Sequence, residues 1–167
     1  MEEKQKKRIL FIEDDPVFRK VFYEKLTKRG YYVVAQPGTE SAQDWAFHKK
    51  TGNFDMVISD QRMPGELGAP FLQFLSKLEK LDPEKLDLHS EMYKKLRERF
   101  SSLSDPEFRE QLKEMKAHPA IRVILSGYTE DDSIRKGLEA GEIKKFISKT
   151  QEPDEIMAIL SALLGEK

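Results

Sequence analysis

The side chains best able to do chemistry in this sequence stand just beyond short apolar runs. Glu13, Asp14 and Asp15 follow "RILFI" (8–12), Asp60 follows "DMVIS" (55–59), Ser126 follows "IRVIL" (121–125) and Lys149 closes "KKFIS" (144–148). Carboxylates brought close together cannot all ionise without a compensating cation. An all-oxygen set with no histidine or cysteine beside it suits magnesium better than zinc, and magnesium commonly keeps waters and works with a phosphate. In that setting Asp60 can act as the nucleophile that receives a phosphoryl group. Lys149 would supply positive charge and Ser126 a hydrogen bond where negative charge builds on the phosphoryl oxygens. The abrupt break in "VISDQRMPG" (57–65) then has a reason, because an attacking carboxylate must protrude from a rigid edge.

Such a set converges only if the chain folds in a particular way. The runs at 8–12, 31–35, 55–59, 121–125 and 144–148 are short, rich in β-branched or aromatic residues and mostly apolar throughout, which predicts five strands buried on both faces. Helical periodicity falls near 16–29, 39–50, 67–80, 129–140 and 152–164. Asp15-Pro16 suits an N-cap with proline in the first turn, and Gly30 stands where a C-cap glycine belongs. This alternation predicts an open, doubly wound α/β fold with a parallel sheet. The strand C-terminal ends of such a sheet share one edge, and the crevice there is the usual ligand site.

One stretch exceeds the minimal pattern. Residues 81–119 separate the third helix from the fourth strand, with apolar positions at Met92, Leu96, Phe100, Phe108, Leu112 and Met115 that suggest two short amphipathic helices. Asp105-Pro106 is expected to cap the second of them. The stripe must be covered, either by its own domain or by a partner or second copy of the chain. As a helix-to-strand connection, the segment is expected on the side away from Asp60, where it would be a poor lid.

The whole-chain numbers narrow the partners. At 167 residues, one domain spanning 1–167 is expected. Lysine plus arginine number 29 against 30 aspartate plus glutamate, which gives no electrostatic reason to expect nucleic acid or a membrane surface. With no cysteine there is no disulfide framework and no thiolate chemistry, and "ILFI" is far too short for a signal peptide, so a cytoplasmic protein is expected.

"ILFIEDDP", "VISDQRMPG", "ILSGY" and "FISK", in this order and at strand ends, resemble the receiver domain of two-component response regulators over nearly the whole chain outside 81–119. "DQRMPG" and "GEIKKFISK" are similar to receivers of the hydrogenase-regulator and cyclic-di-GMP phosphodiesterase-regulator types. The resemblance implies a flavodoxin-like sheet in the order 2-1-3-4-5, Mg²⁺-dependent phosphoryl transfer to Asp60 from a histidine kinase or histidine phosphotransfer protein, and a switch that controls a downstream protein target. It implies Asp14 as a direct metal ligand, Glu13 acting through water, Asp60 as ligand and acceptor, and the Arg62 backbone carbonyl completing the protein ligands. Asp15 is left as the helix cap. Ser126 matches the switch hydroxyl, Phe146 the switch aromatic and Lys149 the phosphate-contacting lysine. Phosphate would draw Ser126 inward and let Phe146 fill the space, changing the face around the family's fourth helix, fifth strand and fifth helix. Arg62 and Tyr128 occupy positions that in the family tune phosphate lifetime, and both are bulky enough to shield it. The family is not a class of enzymes beyond self-phosphorylation from a phosphodonor and autodephosphorylation.

Individually these residues have plainer readings: Asp14 or Asp60 as caps, Ser126 in a turn, Lys149 as a solvated charge, Phe146 as core. Independent caps need not converge on one sheet edge, which favours the joint reading. His48, His89 and His118 are scattered away from that edge, and Trp45 reads as core. Thr150 stands where the family has a proline after the lysine, so the peptide is either cis at a cost of about 2.5–4 kcal/mol or trans with Lys149 placed differently. After Lys149 one helix remains, so an output domain is not expected and signalling would be by docking. Two rival readings stand beside this one. A haloacid-dehalogenase-type phosphatase wants an aspartate where Arg62 is, and a receiver-fold interaction scaffold would never be phosphorylated.

Overall fold

The computed structural model describes residues 5–47 and 53–166. Five strands, β1 (Arg8–Ile12), β2 (Tyr32–Gln36), β3 (Met56–Ser59), β4 (Ile121–Ser126) and β5 (Lys145–Ser148), form one parallel sheet in the order β2-β1-β3-β4-β5. The helices are α1 (Pro16–Lys28), α2 (Thr39–Ala46), α3 (Gly68–Lys80), α4 (Glu91–Arg99), α5 (Asp105–Ala117), α6 (Asp132–Glu139) and α7 (Pro153–Leu163). The expected strands lie within a residue of those observed. The expected helix at 39–50 is observed over Thr39–Ala46, and its last three positions, His48 among them, lie outside the described residues.

Alternation along each strand divides the apolar side chains between two layers. Ile9, Phe11, Met56, Ile58, Val123 and Leu125 join Phe22 and Leu26 of α1 and Ile156, Met157 and Leu160 of α7. Leu10, Ile12, Val57 and Ile124 face the other way, onto Phe71, Leu72 and Leu75 of α3 and Ile134 of α6. Two covered faces are why the strands read as continuous apolar runs. Asp15 caps α1, its side chain accepting from the Phe18 amide at 2.8 Å, and Gly30 ends that helix at φ 93°, a conformation costly to any residue with a Cβ.

The inserted segment forms a helical hairpin, preceded by a single 3₁₀ turn at Pro83–Lys85. Tyr93, Leu96, Phe100, Phe108, Leu112 and Met115 are all buried in the same cluster as Leu10 and Leu72. The chain therefore covers its own apolar stripe, and the hairpin is a third layer over α2 and α3. Tyr93, not Met92, faces inward; Met92 is 51% exposed. The second inserted helix is capped by Ser104 rather than by Asp105. Ser104 and Glu107 form a reciprocal capping box, and Asp105 instead takes the Tyr93 hydroxyl and the Arg109 guanidinium.

The expected placement of the hairpin away from Asp60 also needs correction. The segment leaves α3 at the far edge, but α4 carries the chain back along α2 and α3. Its last residue, Arg99, reaches Glu66 in the loop that follows Asp60. A nine-residue helix carries the chain about 14 Å, at about 1.5 Å per residue.

Candidate functional site

Strand register brings the acidic residues level. Ile12 pairs with Ser59 across β1 and β3, and the next amide, that of Asp60, donates to the Ile12 carbonyl at 2.9 Å. Glu13 and Asp60 thus leave adjacent strands at the point where strand order reverses, the crevice position of an open parallel sheet. Oxygens of Glu13, Asp14 and Asp60 lie within 4.8 Å of one another, and Asp15, occupied as a cap, is not in the group. From β5, the Lys149 ammonium stands 2.5 Å from Glu13 Oε2 and 3.3 Å from Asp60 Oδ2, and 4.4 Å above the Phe18 ring. The contact with Glu13 is an ion pair without an aligned hydrogen bond.

Glu13 is fully buried, and burial is the main reason its carboxyl is pushed up to about 7. The neighbouring Asp60 charge adds to the rise, while Lys149 and the Asp15 amide oppose it. One ammonium thus faces three carboxylates. The Asp14 carboxylate takes no hydrogen bond or ion pair from the described residues. An oxygen-only set, short of positive charge, partly open at Asp14 and fixed from two strands, fits a hard divalent cation.

The scaffold around Asp60 is dense. The Gln61 amide donates to Asp60 Oδ1 at 2.7 Å, and the Ser59 hydroxyl donates to the Asp60 carbonyl at 2.8 Å. A Cβ at Gly68 would overlap that same carbonyl, so the first turn of α3 can seat against it only with glycine. Arg19 Nη1 donates to the carbonyls of Glu13 at 2.6 Å and Asp14 at 3.3 Å, pinning the acidic turn. Ser126, fully buried at the end of β4, accepts from the Tyr128 amide at 3.2 Å, and its carbonyl accepts from the Lys149 amide at 2.9 Å. Phe146 is half-buried against the α3/α6 side of the core. Arg62 and Tyr128, both exposed, touch each other: the guanidinium lies 4.1 Å from the ring centroid.

The peptide after Lys149 is trans, since no cis bond occurs among the described residues. The Ser148 hydroxyl accepts the Thr150 amide at 3.2 Å and bonds its hydroxyl at 2.7 Å, a local turn that still delivers Lys149 to the carboxylates. Thr150 therefore does not displace the lysine. His89 and His118 are exposed and outside the cluster.

Two contributors escaped the sequence reading. Gln61 is buried; its amide nitrogen donates to Asp131 Oδ2 at 2.8 Å and Ser133 Oγ at 2.9 Å, and its carbonyl oxygen accepts from the Ala69 amide at 2.7 Å. It ties the residue after Asp60 to the first turns of both α3 and α6. Phe18 supplies the ring beneath Lys149. A glutamine between a strand-end aspartate and a loop gives a weak signal, and Phe18 gives none, because its partner lies 131 positions away.

A sequence model of the response regulator receiver domain matches residues 9–85, from β1 to the first turn of the insertion. Among curated proteins, no sequence matches. Solved structures share the fold: the CheY-like receiver domain protein of Methanospirillum hungatei is 17% identical, with 96% of this chain and 94% of that one aligned at a TM-score of 0.62. The response regulator TrrA of Thermotoga maritima, solved with Mg²⁺ and beryllofluoride, is 22% identical over 94% of this chain and 98% of that one at 0.56. The non-phosphorylated HemR receiver domain of Leptospira biflexa is 18% identical over 97% of each chain at 0.61. The fold is the flavodoxin-like one of receiver domains. The match to the receiver domain model ends at residue 85, and β4, α6, β5 and α7 complete the sheet and layers of the same fold. No described helix is long and apolar enough to cross a membrane.

Proposed function

We propose that this protein accepts a phosphoryl group on Asp60 from a phosphohistidine donor, on a histidine kinase or a phosphotransfer protein, and that the modification changes which partner it binds. The observation that carries the reading is the placement of the Asp60 carboxylate, at a strand end, within 4.8 Å of Asp14 and Glu13 oxygens and 3.3 Å from the Lys149 ammonium. Asp14 and Asp60, Glu13 through water, and the Arg62 backbone carbonyl would hold Mg²⁺, whose charge would neutralise the attacking carboxylate and the phosphoryl oxygens together. Asp60 attacks phosphorus with a carboxylate oxygen, the bond from phosphorus to the donor imidazole nitrogen breaks, and the donor histidine leaves as the side chain that can take up a proton.

Lys149 neutralises the transferred oxygens from the opposite side. Ser126, which now only accepts from the Tyr128 amide, has a hydroxyl proton free to donate to them. Its inward movement vacates space at the edge of β4 for the Phe146 ring, and the surface over α6, β5 and α7 changes with it. TrrA was solved with Mg²⁺ and beryllofluoride, and a receiver domain of RstA from Klebsiella pneumoniae was solved in a beryllofluoride-activated form, which supports the same chemistry on this scaffold. The test is intact mass after incubation with acetyl phosphate, with and without Mg²⁺. A magnesium-dependent phosphate adduct that disappears in Asp60→Asn is expected. No adduct from folded protein, together with no beryllofluoride binding, would replace this reading with a scaffold that is never phosphorylated.

A further inference from the structure

The loop between β3 and α3 carries the residues that follow Asp60, and its outer half is held from the inserted hairpin. Arg99 Nη2 lies 3.0 Å from Glu66 Oε2, with the two side chains 33% and 32% exposed. The arginine is itself held by α2 and α3. Its Nε donates to Gln43 Oε1 in α2, its carbonyl accepts from Gln43 Nε2 at 3.3 Å, and its guanidinium lies 3.8 Å from the centroid of the Phe74 ring in α3. The next residue, Phe100, stacks 4.2 Å from Phe47, so the end of α4 cannot shift without disturbing the core. The loop has few other anchors between its ends. The Gly68 amide closes the loop by donating to the Gln61 carbonyl at 3.0 Å; within it Gly65 takes φ 88°, Leu67 gives α3 no side-chain cap, and the ties are buried Met63 and the exposed Arg62–Tyr128 stack.

We infer that Arg99 is a positioning residue for the Asp60 site: through Glu66 it holds the β3–α3 loop in the conformation the site uses, so that the insertion sets the affinity of the site for a divalent cation. The inference rests on the reading of Asp60 as a magnesium-dependent phosphoacceptor. Its physical basis is preorganisation, since a ligand that must first order a loop binds more weakly by the free energy of ordering. An arginine already immobilised by Gln43 and Phe74 loses little further freedom when it takes Glu66, so even a part-exposed pair can hold the loop. The coupling is reciprocal: occupancy of the site tightens the hold of the loop on the tip of α4, and a ligand touching that tip would sense the state of Asp60.

The test is Mg²⁺ titration of the full chain followed by backbone amide chemical shifts, on wild type, Arg99→Gln, Glu66→Ala and the double variant. Hydrogen exchange over residues 62–67 is measured on the same samples. Each single variant is expected to weaken Mg²⁺ binding about two- to fivefold and to speed exchange in the loop. The double variant should be no weaker than either single, because both remove one contact. A purely structural arginine would lower the melting temperature without this shared loss. Glu66 lies in a partly exposed loop, so its variant keeps the test valid if Arg99→Gln fails to fold. Wild-type Mg²⁺ affinity in a folded Arg99→Gln or Glu66→Ala, or losses that add in the double, overturns the inference alone. Absence of Mg²⁺ binding by wild type overturns both it and the reading beneath it.

Discussion

At the scale of residues, the Asp60 edge combines a hydrogen-bonded floor with an exposed cover. The floor is hydrogen-bonded at nearly every step: Ser59 to the Asp60 carbonyl, Gln61 to its carboxylate, Arg19 to the acidic turn. The cover is the exposed Arg62–Tyr128 stack, worth about 0.5–1 kcal/mol as a cation–π contact at the surface. Under the proposed phosphoryl transfer, two bulky side chains that hold each other in the loops after Asp60 and Ser126 would restrict the water that could attack an acyl phosphate. An Arg62→Ala, Tyr128→Ala double variant is therefore expected to lose its phosphoryl group several-fold faster, read as the decay of the intact-mass adduct after donor removal; an unchanged rate would dismiss the shielding role. Gln61 makes a different prediction. Replacing it by leucine leaves the Ala69 amide inside the protein without its acceptor, and a buried unsatisfied donor costs about 1–3 kcal/mol. Urea unfolding of Gln61→Leu should show a loss in that range.

At the scale of elements, the inserted hairpin is part of the core. Phe108 is fully buried, with its ring 5.4 Å from Phe47, 5.7 Å from Phe100 and 6.1 Å from Tyr93, and with the Arg97 guanidinium 5.0 Å from its centroid. Phe108→Ala should cost about 3–5 kcal/mol, the range for emptying an aromatic site in a well-packed interior, checked by chemical denaturation. Strands and helices were legible in the sequence because burial on two faces writes continuous apolar runs, and amphipathic helices write spacings of three and four. The convergence of Asp60, Glu13, Asp14, Ser126 and Lys149 on one edge was legible because strand ends of a parallel sheet share it. The cap of α5 was misplaced by one residue, since Ser104 and Asp105 are both good caps and the deciding Glu107 stands three residues beyond the first. The direction of the hairpin and the contacts of Arg99, Gln61 and Phe18 were not legible. Each depends on pairing between segments far apart in the chain, which no local period records.

At the scale of the whole molecule, the sheet carries one two-sided domain plus a third layer, and the third layer bears on how the segment 82–117 should be tested. An apolar stripe that faced outward could be deleted with loss of a partner and little else. Here the stripe faces inward, and what remains outside is sparse: Leu88 and Met92, 45% and 51% exposed. Deletion would uncover Phe47 and Phe74, both in ring contact with Phe100. Covering two such side chains contributes about 3–6 kcal/mol by the usual range for full burial. For a domain of this size about 2–4 °C of melting temperature accompanies each kcal/mol, so a fall of roughly 6–24 °C is expected on replacing 82–117 by a short linker. Thermal melting with a hydrophobic dye measures both the fall and the exposed surface. A deletion variant that melts with wild type and binds no dye would mean that α2 and α3 close over their own apolar faces, and the hairpin would then return to being a detachable docking element. The loop result separates the two cases further, because a hairpin that is part of the core and grips Glu66 must transmit its removal to the Asp60 edge, whereas a detachable one must not.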